Sequence, residues 1–187
     1  MDDPVDPVDP VDPVDEAPVR AGAPVSASRH WIAFFMLATG IVIADQVAKA
    51  WVVSTISFGS VVQVVGDYVR IWPVHNTGAL FGLFPDQAIL FAALSIGVVA
   101  LIVWFHGQSV VTNGWFATLA LGLLLGGAIG NLADRLRLGY VVDFVDMGVG
   151  DLRFYTYNVA DAAISASLVL LILMAFWPSR KRPWIAA

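Results

Sequence analysis

Hydrophobic residues are concentrated in four long runs along the chain, residues 31–53, 88–105, 115–132 and 159–177. The second and third runs contain no charged side chain, and the first and fourth contain only three between them. Each run is long enough to cross a hydrocarbon core of about 30 Å as a helix. Because backbone groups in lipid must be hydrogen-bonded within their own segment, the pattern predicts four transmembrane helices.

Two longer connectors, residues 54–87 and 133–158, separate these runs. The first connector alternates in places between apolar and polar residues, and Gly59 and Gly66 interrupt it. This pattern is typical of short strands, so we expect a small sheet at the membrane surface. The predicted fold class is an all-α membrane protein with four transmembrane helices and a small extracytoplasmic β element.

A basic cluster at residues 180–182 follows the fourth run and indicates the orientation of the bundle. Such clusters remain on the cytoplasmic side of bacterial membranes. Four spans then return the N-terminus to the cytoplasm as well. Both longer connectors are therefore expected on the outer face.

Composition agrees with a membrane protein. Hydrophobic residues make up 58% of the 187 residues, charged residues only 13%, and the mean hydropathy is +0.76. In soluble domains roughly a quarter of all residues are charged. The net charge of −5 arises in residues 1–29, which hold seven acidic and two basic residues, whereas residues 30–187 hold eight of each. Nothing in this distribution indicates a nucleic-acid partner.

The chain begins with a three-residue repeat of Asp, Pro and Val over residues 2–15. Proline at every third position prevents regular helix or sheet hydrogen bonding, and the acidic residues repel one another. We therefore predict a disordered cytoplasmic tail over residues 1–29, a four-helix membrane domain over residues 30–178, and a basic cytoplasmic tail over residues 179–187.

Charged residues within or beside the spans all fall toward the predicted outer face. Asp45 and Lys49 are one helical turn apart on the same face and can pair. Asp134 and Arg135 follow the third run, where we expect them to cap its helix, and Asp161 lies in the first turn of the fourth. Inserting a charged side chain into the bilayer costs at least about 2.5 kcal/mol, so these residues are expected to have ionic partners or a function. Their gathering at one level favours a polar pocket at the outer interface over a transport site near the midplane.

Glycines recur at intervals of four in the third run, at Gly122, Gly126 and Gly130. This spacing places them on one helix face. Small residues there let helix backbones approach closely in lipid, so we expect tight packing against this face.

The chemistry that the inventory permits is limited. The chain has no cysteine, which excludes a thiol nucleophile, thiolate metal sites and disulfides. Of the three histidines, His30 and His106 are predicted on the cytoplasmic side of the membrane and His75 on the outer side. We therefore expect no histidine pair around a metal or a catalytic triad. His75 is expected to form hydrogen bonds in a loop.

Three other chemistries can be weighed. A Ser–Lys dyad of Ser54 and Lys49 is weakened by the five-residue separation and by Asp45 near Lys49. Residues 148–151 match a Gly-x-Gly-Asp protease motif, but they lie in a polar connector and are predicted to form a turn. Paired aspartates remain. Two carboxyl groups held close cannot both ionise cheaply, so one can activate water while the other polarises a carbonyl.

Four blocks of residues resemble the bacterial lipoprotein signal peptidase family, signal peptidase II. The blocks are residues 45–49, residues 76–81, residues 126–135, and residues 142–144 together with residues 157–161. They occur in the order expected for that family, and the resemblance extends over residues 31–177. Each block falls on the predicted outer side of the membrane.

The resemblance implies roles for seven residues and a substrate class. It implies Asp143 and Asp161 as the catalytic pair, and Asn76, Gly78, Asn131, Arg135 and Asn158 as substrate-binding or aspartate-ordering residues. We expect Asp45, Lys49 and Asp134 to be supporting scaffold. Prolipoproteins that carry a diacylglyceryl cysteine would be the substrates, cleaved before that cysteine, and globomycin-type compounds the inhibitors. Membrane lipid would be the other partner, and no cofactor or metal is implied.

A non-enzymatic interpretation stays open from the residues alone. In a membrane scaffold or transporter subunit, the charges would serve helix assembly. Asp161 would then be a helix cap and Asp143 a turn residue.

Overall fold

Four long helices and four short strands form the part of the chain that the computed structural model describes, which is residues 27–78, 87–109 and 114–176. In chain order the elements are α1 (Ala27–Thr55), β1 (Val62–Val65), β2 (Val69–Asn76), α2 (Ala88–Ser109), α3 (Gly114–Leu138), β3 (Val141–Val149), β4 (Leu152–Arg153) and α4 (Val159–Phe176). All four helices are long and apolar enough to cross a membrane. The predicted fold class is confirmed.

Two helix ends differ from the prediction. Helix α3 continues to Leu138, six residues beyond the end of the third hydrophobic run, so Asp134 and Arg135 lie inside the helix and do not cap it. Gly139 follows the last helical residue, has a φ of 79° and donates its N–H to the Arg135 carbonyl at 3.2 Å. This is a glycine cap of the usual kind, and the hydrophobic run does not reveal it because two arginines interrupt the last turn.

Helix α1 begins at Ala27, so the last three residues of the predicted N-terminal tail are helical. The remainder of that tail, residues 1–26, lies outside the described residues. So do residues 177–187, which include the basic C-terminal tail of residues 179–187, and residues 79–86, which include the last three residues of the block at residues 76–81.

Helix α3 is the centre of the bundle and packs against each of the other three helices. Its most apolar stretch is 56% buried, compared with 17% for each of the other three. The glycine row explains the close packing. A methyl group on Gly126 would lie 2.6 Å from Ile41 Cβ and 2.8 Å from the Ala38 carbonyl oxygen of α1. The predicted close helix approach is therefore confirmed.

The strands form one antiparallel sheet in the order β1-β2-β3-β4. The first connector supplies β1 and β2, as predicted, but the second connector supplies β3 and β4, which we did not predict. Strand β3 pairs with β2 so that Asn76 is opposite Val141 and Val74 is opposite Asp143. Burial of one end of β3, including Val141, Val142 and Phe144, explains why this polar connector becomes a strand.

The Gly-x-Gly-Asp sequence at residues 148–151 forms the turn between β3 and β4, as predicted. Gly150 has a φ of 53° there and donates its N–H to Asp67 Oδ2 at 2.7 Å. The side chain of Asp151 is exposed. The turn therefore fastens the β3–β4 hairpin to the turn between β1 and β2.

The three histidines make contacts that the sequence did not predict. His75 lies in strand β2, where its ring is 3.9 Å from the rings of both Phe58 and Tyr140, so aromatic contacts hold it in place of loop hydrogen bonds. His30 and His106 do come together. His30 Nδ1 lies 2.9 Å and His106 Nε2 lies 3.4 Å from the Thr118 hydroxyl oxygen. The two histidines share one threonine hydroxyl, a contact that their spacing along the chain did not reveal.

Candidate active site

Asp161 is held at the start of α4 by a capping box. The Asn158 side-chain Oδ1 accepts the Asp161 N–H at 3.0 Å, and Asp161 Oδ2 accepts the Asn158 N–H at 3.1 Å. Such a reciprocal pair satisfies two N–H groups that the first helical turn leaves without partners. The Asn-x-x-Asp sequence thus starts the helix and orients the Asp161 carboxylate at the same time.

Asp143 lies on β3, buried to 2% exposure, with two side-chain amides bonded to it. Asn158 Nδ2 donates to Asp143 Oδ1 at 2.7 Å, and Asn76 Nδ2 donates to Asp143 Oδ2 at 2.9 Å. Asn131 Nδ2 donates to Asp161 Oδ1 at 2.8 Å. Asn158 contacts both carboxyl groups, so the structure brings Asp143 and Asp161 into one site.

The surroundings of Asp143 favour its neutral form. Burial, followed by the negative charge of Asp161, raises the pKa of Asp143 from 3.8 to about 7, although the hydrogen bonds from Asn76 and Asn158 oppose the shift. Asp161 has the N-terminus of α4 behind it, which favours a negative charge there. The two carboxyl groups therefore differ in the way that a shared-proton pair requires.

Lys49 forms a buried ion cluster directly beneath the two aspartates. Its Nζ lies 2.7 Å from Asp45 Oδ2, 2.9 Å from Asp134 Oδ2 and 3.2 Å from Asn131 Oδ1. The predicted pairing of Asp45 with Lys49 is confirmed. All three ammonium hydrogens have acceptors, so this lysine has no donor left for another group.

The two carboxylates of this cluster also hold the backbone next to each aspartate. Asp45 Oδ1 accepts the Ala160 N–H at 3.0 Å, and Asp134 Oδ2 accepts the Val142 N–H at 3.1 Å. Ala160 and Val142 immediately precede Asp161 and Asp143 in the chain. The ion cluster therefore sets the position of both aspartates, which the spacing of Asp45 and Asp134 did not reveal.

Gln46 and Arg137 extend the cluster toward its exposed edge. Gln46 Nε2 donates to Asp134 Oδ1 at 2.9 Å, and Arg137 Nη1 donates to Gln46 Oε1 at 3.0 Å. Gln46 also contacts Asp45 Oδ2 at 3.2 Å. The second oxygen of Asp134 thus has a partner, as a buried carboxylate requires.

Arg135 and the residues near Gly78 form the opposite edge of the site. Arg135 Nη2 donates to the Gly78 carbonyl and Nη1 to the Asn131 carbonyl, both at 3.3 Å. Its guanidinium carbon lies 5.8 Å from the centre of the Phe91 ring. The Gly78 N–H donates to Asn76 Oδ1 at 3.1 Å, which leaves the Asn76 amide group pointing at Asp143.

A cleft of about 360 Å³ opens from this site between α2 and α4, with α3 as its floor. At the sheet end its wall is polar and comprises Asn76, Asn131, Arg135, Asp143, Tyr155 and Asp161. Further along the helices it is mainly apolar, with Leu94, Val98, Leu124, Ala128 and Leu168. A polar end joined to an apolar trough can hold an amphipathic ligand.

Sequence reasoning missed several residues of the cleft. Tyr155 lies beside both aspartates, and burial followed by the charges of Asp161 and Asp143 raises the pKa of its phenol, which therefore stays protonated. Phe91, Ser95 and Ser165 were also missed. Helical spacing was an available signal, since Ser165 follows Asp161 by four residues and Ser95 follows Phe91 by four, which places each pair on one helix face.

A second charged cluster lies on the sheet, outside the cleft. The carboxylate of Asp146 contacts the guanidinium groups of Arg70 and Arg153, at 2.5 and 2.7 Å. Burial opposes ionisation of Asp146, but the hydrogen bonds from Arg153 and Arg70 outweigh it and lower its pKa. This cluster links β2, β3 and β4, so its role is to stabilise the sheet.

The Ser–Lys alternative loses its support from these contacts. Lys49 is held by Asp45, Asp134 and Asn131, and the Ser54 hydroxyl donates to the Trp51 carbonyl at 2.8 Å. A general base needs a free lone pair, which an ammonium between two carboxylates lacks. Within residues 27–78, 87–109 and 114–176, no three His, Cys, Asp or Glu side chains are grouped to hold a metal ion.

Comparison with known proteins identifies the family. A family model described as signal peptidase (SPase) II matches residues 37–177. Lipoprotein signal peptidase of Trichormus variabilis is 38% identical over 80% of this chain and 90% of its own length. Lipoprotein signal peptidase of Lactobacillus johnsonii is 33% identical over 75% of this chain and 90% of its own.

Solved structures agree with this match. A bacterial membrane enzyme determined by the in meso method at 2.3 Å has a TM-score of 0.73 and 26% identity, over 82% of this chain and 93% of its own. A second, at 1.9 Å, has a TM-score of 0.70 and 28% identity, over 78% of this chain and 94% of its own. This protein is thus a multi-pass bacterial membrane protein that belongs to the signal peptidase II family, and by that membership it is an aspartic-type peptidase.

Proposed function

We propose that this protein removes signal peptides from prolipoproteins whose cysteine carries a diacylglyceryl group, and that it cleaves immediately before that cysteine. Membership of the signal peptidase II family supports lipoprotein signal-peptide cleavage. The observation that carries the chemistry is that Asn158 bonds both Asp143 and Asp161 in one cleft. The peptidase domain is assigned to residues 30–178.

The two aspartates divide the reaction between them. Ionised Asp161 takes a proton from water, whose oxygen attacks the carbonyl carbon of the scissile peptide bond, while protonated Asp143 donates its proton to the carbonyl oxygen. Collapse of the tetrahedral intermediate breaks the C–N bond. The leaving nitrogen takes the proton held by Asp161, and Asp143 regains its own from the intermediate. The products are a free signal peptide and a lipidated cysteine with a new amino group.

The polar residues around the pair bind the substrate backbone. Arg135 has a planar set of donors at the cleft wall and uses two of them on the Gly78 and Asn131 carbonyls. Its other donors are available to substrate carbonyl groups. Asn76 and Gly78 contact the substrate next to the scissile bond, while Asn131 and Asn158 keep the aspartates oriented.

The apolar part of the cleft suits the rest of the substrate. It lies between α2 and α4, two helices apolar enough to cross the membrane, so in this proposal a lipidated precursor enters sideways from the bilayer. The signal peptide and the acyl chains then lie against apolar side chains. Globomycin-type inhibitors occupy the same cleft in this proposal.

The orientation follows from charge. The basic residues 180–182 hold the C-terminus in the cytoplasm, and four spans place the N-terminus there too. The sheet and the two aspartates then lie at the outer face of the bacterial cytoplasmic membrane. Lipoprotein precursors present their cleavage sites on that face.

The test uses purified protein with a diacylglyceryl-cysteine precursor and its unlipidated form. The wild type should cleave the lipidated precursor and leave the other largely intact. Asp143→Asn and Asp161→Asn should each lower the rate at least about 100-fold, because each removes one proton-transfer group. Asp151→Asn, which changes the exposed aspartate of the Gly-x-Gly-Asp turn, is the matched control and should cleave normally.

Two results would contradict the proposal. Normal cleavage by either the Asp143→Asn or the Asp161→Asn variant would end the aspartate mechanism. Loss of folding in these variants, seen as aggregation on size exclusion in detergent, together with no cleavage by the wild type, would favour the scaffold or transporter-subunit alternative. A Ser–Lys enzyme would instead lose activity with Lys49→Ala and keep it with Asp143→Asn.

A further inference from the structure

Two serine hydroxyls interrupt the apolar part of the cleft and face it from opposite walls. Ser95 of α2 follows Phe91 by four residues, and Ser165 of α4 follows Asp161 by four, and all four line the cleft. Four residues of helix correspond to about 6 Å. Because Phe91 lies against Arg135 at the polar end, both hydroxyls are about 6 Å deeper in the membrane than the aspartates.

The two hydroxyls differ in whether their hydrogen is free to bond a ligand. Ser95 Oγ donates to the Phe91 carbonyl at 2.7 Å, so its one hydrogen is already used. Ser165 is exposed to the cleft and forms no hydrogen bond with any residue of the described ranges. A hydroxyl donor in hydrocarbon without an acceptor is costly, so a bound ligand that supplies an acceptor gains from the contact.

The substrate that the proposed function assigns to this cleft supplies such an acceptor at the right depth. Seven covalent bonds separate the cysteine Cα from the nearest ester carbonyl oxygen of the diacylglyceryl group, a chain that reaches about 6 Å or slightly further. The signal peptide is a poorer source, because helical backbone carbonyls in lipid are already bonded within their own segment. Ester carbonyls are therefore the acceptors left over at the level of Ser165.

We propose that Ser165 is a specificity-determining residue that donates its hydroxyl hydrogen to an ester carbonyl of the diacylglyceryl group. This inference rests on the proposed function and adds to it a reason for preferring diacylated precursors. The contact is made equally in the bound substrate and in the transition state, because the ester does not react. Its loss should therefore appear in KM, with kcat unchanged.

The experiment compares two lipidated precursors, one with a diester and one with the corresponding diether, which has no ester carbonyl. Ser165→Ala should lower kcat/KM for the diester about three- to tenfold, through KM, as expected for one neutral hydrogen bond. It should change kcat/KM for the diether less than about twofold. Ser165→Thr, which keeps the hydroxyl, should retain the preference of the wild type for the diester.

Ser167→Ala is the matched control on the same helix. The Ser167 hydroxyl is buried, has no hydrogen-bond partner in the described part of the chain and does not line the cleft. Its removal should therefore leave kcat/KM for both substrates unchanged. An equal loss on diester and diether, or no loss on either, would overturn the role of Ser165. The proposed function would survive that result as long as the wild type cleaves both precursors and Asp143→Asn cleaves neither.

Discussion

At the scale of single residues, two chemically identical side chains differ because their surroundings differ. Asp143 is enclosed on β3, where its carboxyl group accepts hydrogen bonds from the neutral amides of Asn76 and Asn158. Asp161 accepts a backbone N–H at the start of α4, where the helix dipole favours a carboxylate. Such a difference separates acid from base in a pair of carboxyl groups.

The pH dependence of cleavage follows from Asp143. Its pKa in the folded protein is raised to about 7, so the protonated, active form predominates below that pH and is lost as the pH rises through it. Values of kcat/KM for the diacylglyceryl precursor should therefore fall about tenfold per unit above pH 7. Initial rates at low substrate concentration over a pH series measure this. The Asp151→Asn control should keep the same profile, and a rate that stays constant well above pH 8 would contradict the assignment.

At the scale of elements, helix α3 positions the site because three partners can approach it closely. Gly122 and Gly126 admit α1, and Gly127 admits α4, where a Cβ would lie 2.5 Å from the Ala160 carbonyl oxygen. Asp45 of α1 reaches across to the first turn of α4 only because the backbones are this close. The position of Asp161 therefore depends directly on how closely the helices pack.

Enlarging a glycine in this row should separate the helices. Gly126→Ala adds a methyl group 2.6 Å from Ile41 Cβ, so α1 must move, and we expect a loss of about 1–3 kcal/mol in stability. Thermal unfolding in detergent measures it as a lower Tm. Gly97→Ala in α2 is the control, because among the described residues a Cβ added there would meet no atom of another element within 4 Å. Its Tm should be unchanged or higher, since alanine favours helix over glycine. Equal Tm values for the two variants would refute the close-packing explanation.

At the scale of the whole molecule, one buried ammonium joins the parts that hold the site. Lys49 of α1 contacts Asp134 of α3, whose carboxylate holds the start of β3, and Asp45, whose carboxylate holds the start of α4. The membrane bundle and the sheet thereby share one ion cluster. Two carboxylates this deeply buried depend on that single positive charge.

Removing the charge should affect the whole protein. Lys49→Met leaves Asp45 and Asp134 buried without their cation, and we expect a loss of about 3–5 kcal/mol in stability. Tm in detergent and the yield of monodisperse protein are the measurements. Arg137→Met is the control at the exposed edge of the same cluster, where Arg137 donates a hydrogen bond to Gln46. This substitution should cost less than about 1 kcal/mol. A Lys49→Met variant as stable as the wild type would show that the cluster does not hold the fold together.

The sequence by itself determined the features that depend on local pattern. Hydrophobic runs of membrane length predicted four helices, glycine at every fourth position predicted the packing face of α3, and Asp45 with Lys49 predicted an ion pair, because each follows from helix geometry alone. The four motif blocks indicated the family for a similar reason, since each consists of short runs of neighbouring residues that can be read from the sequence.

Only the tertiary structure decided which distant groups meet. Pairing of β2 with β3, which places Asn76 beside Asp143, depends on residues far apart in the chain, and so does the contact of Asp45 with the Ala160 N–H. The raised pKa of Asp143 requires burial and a neighbouring charge, and the exposure of Ser165 to the cleft requires two helices that stay apart. Periodicity indicates which face of an element is buried, but it does not specify what lies against that face.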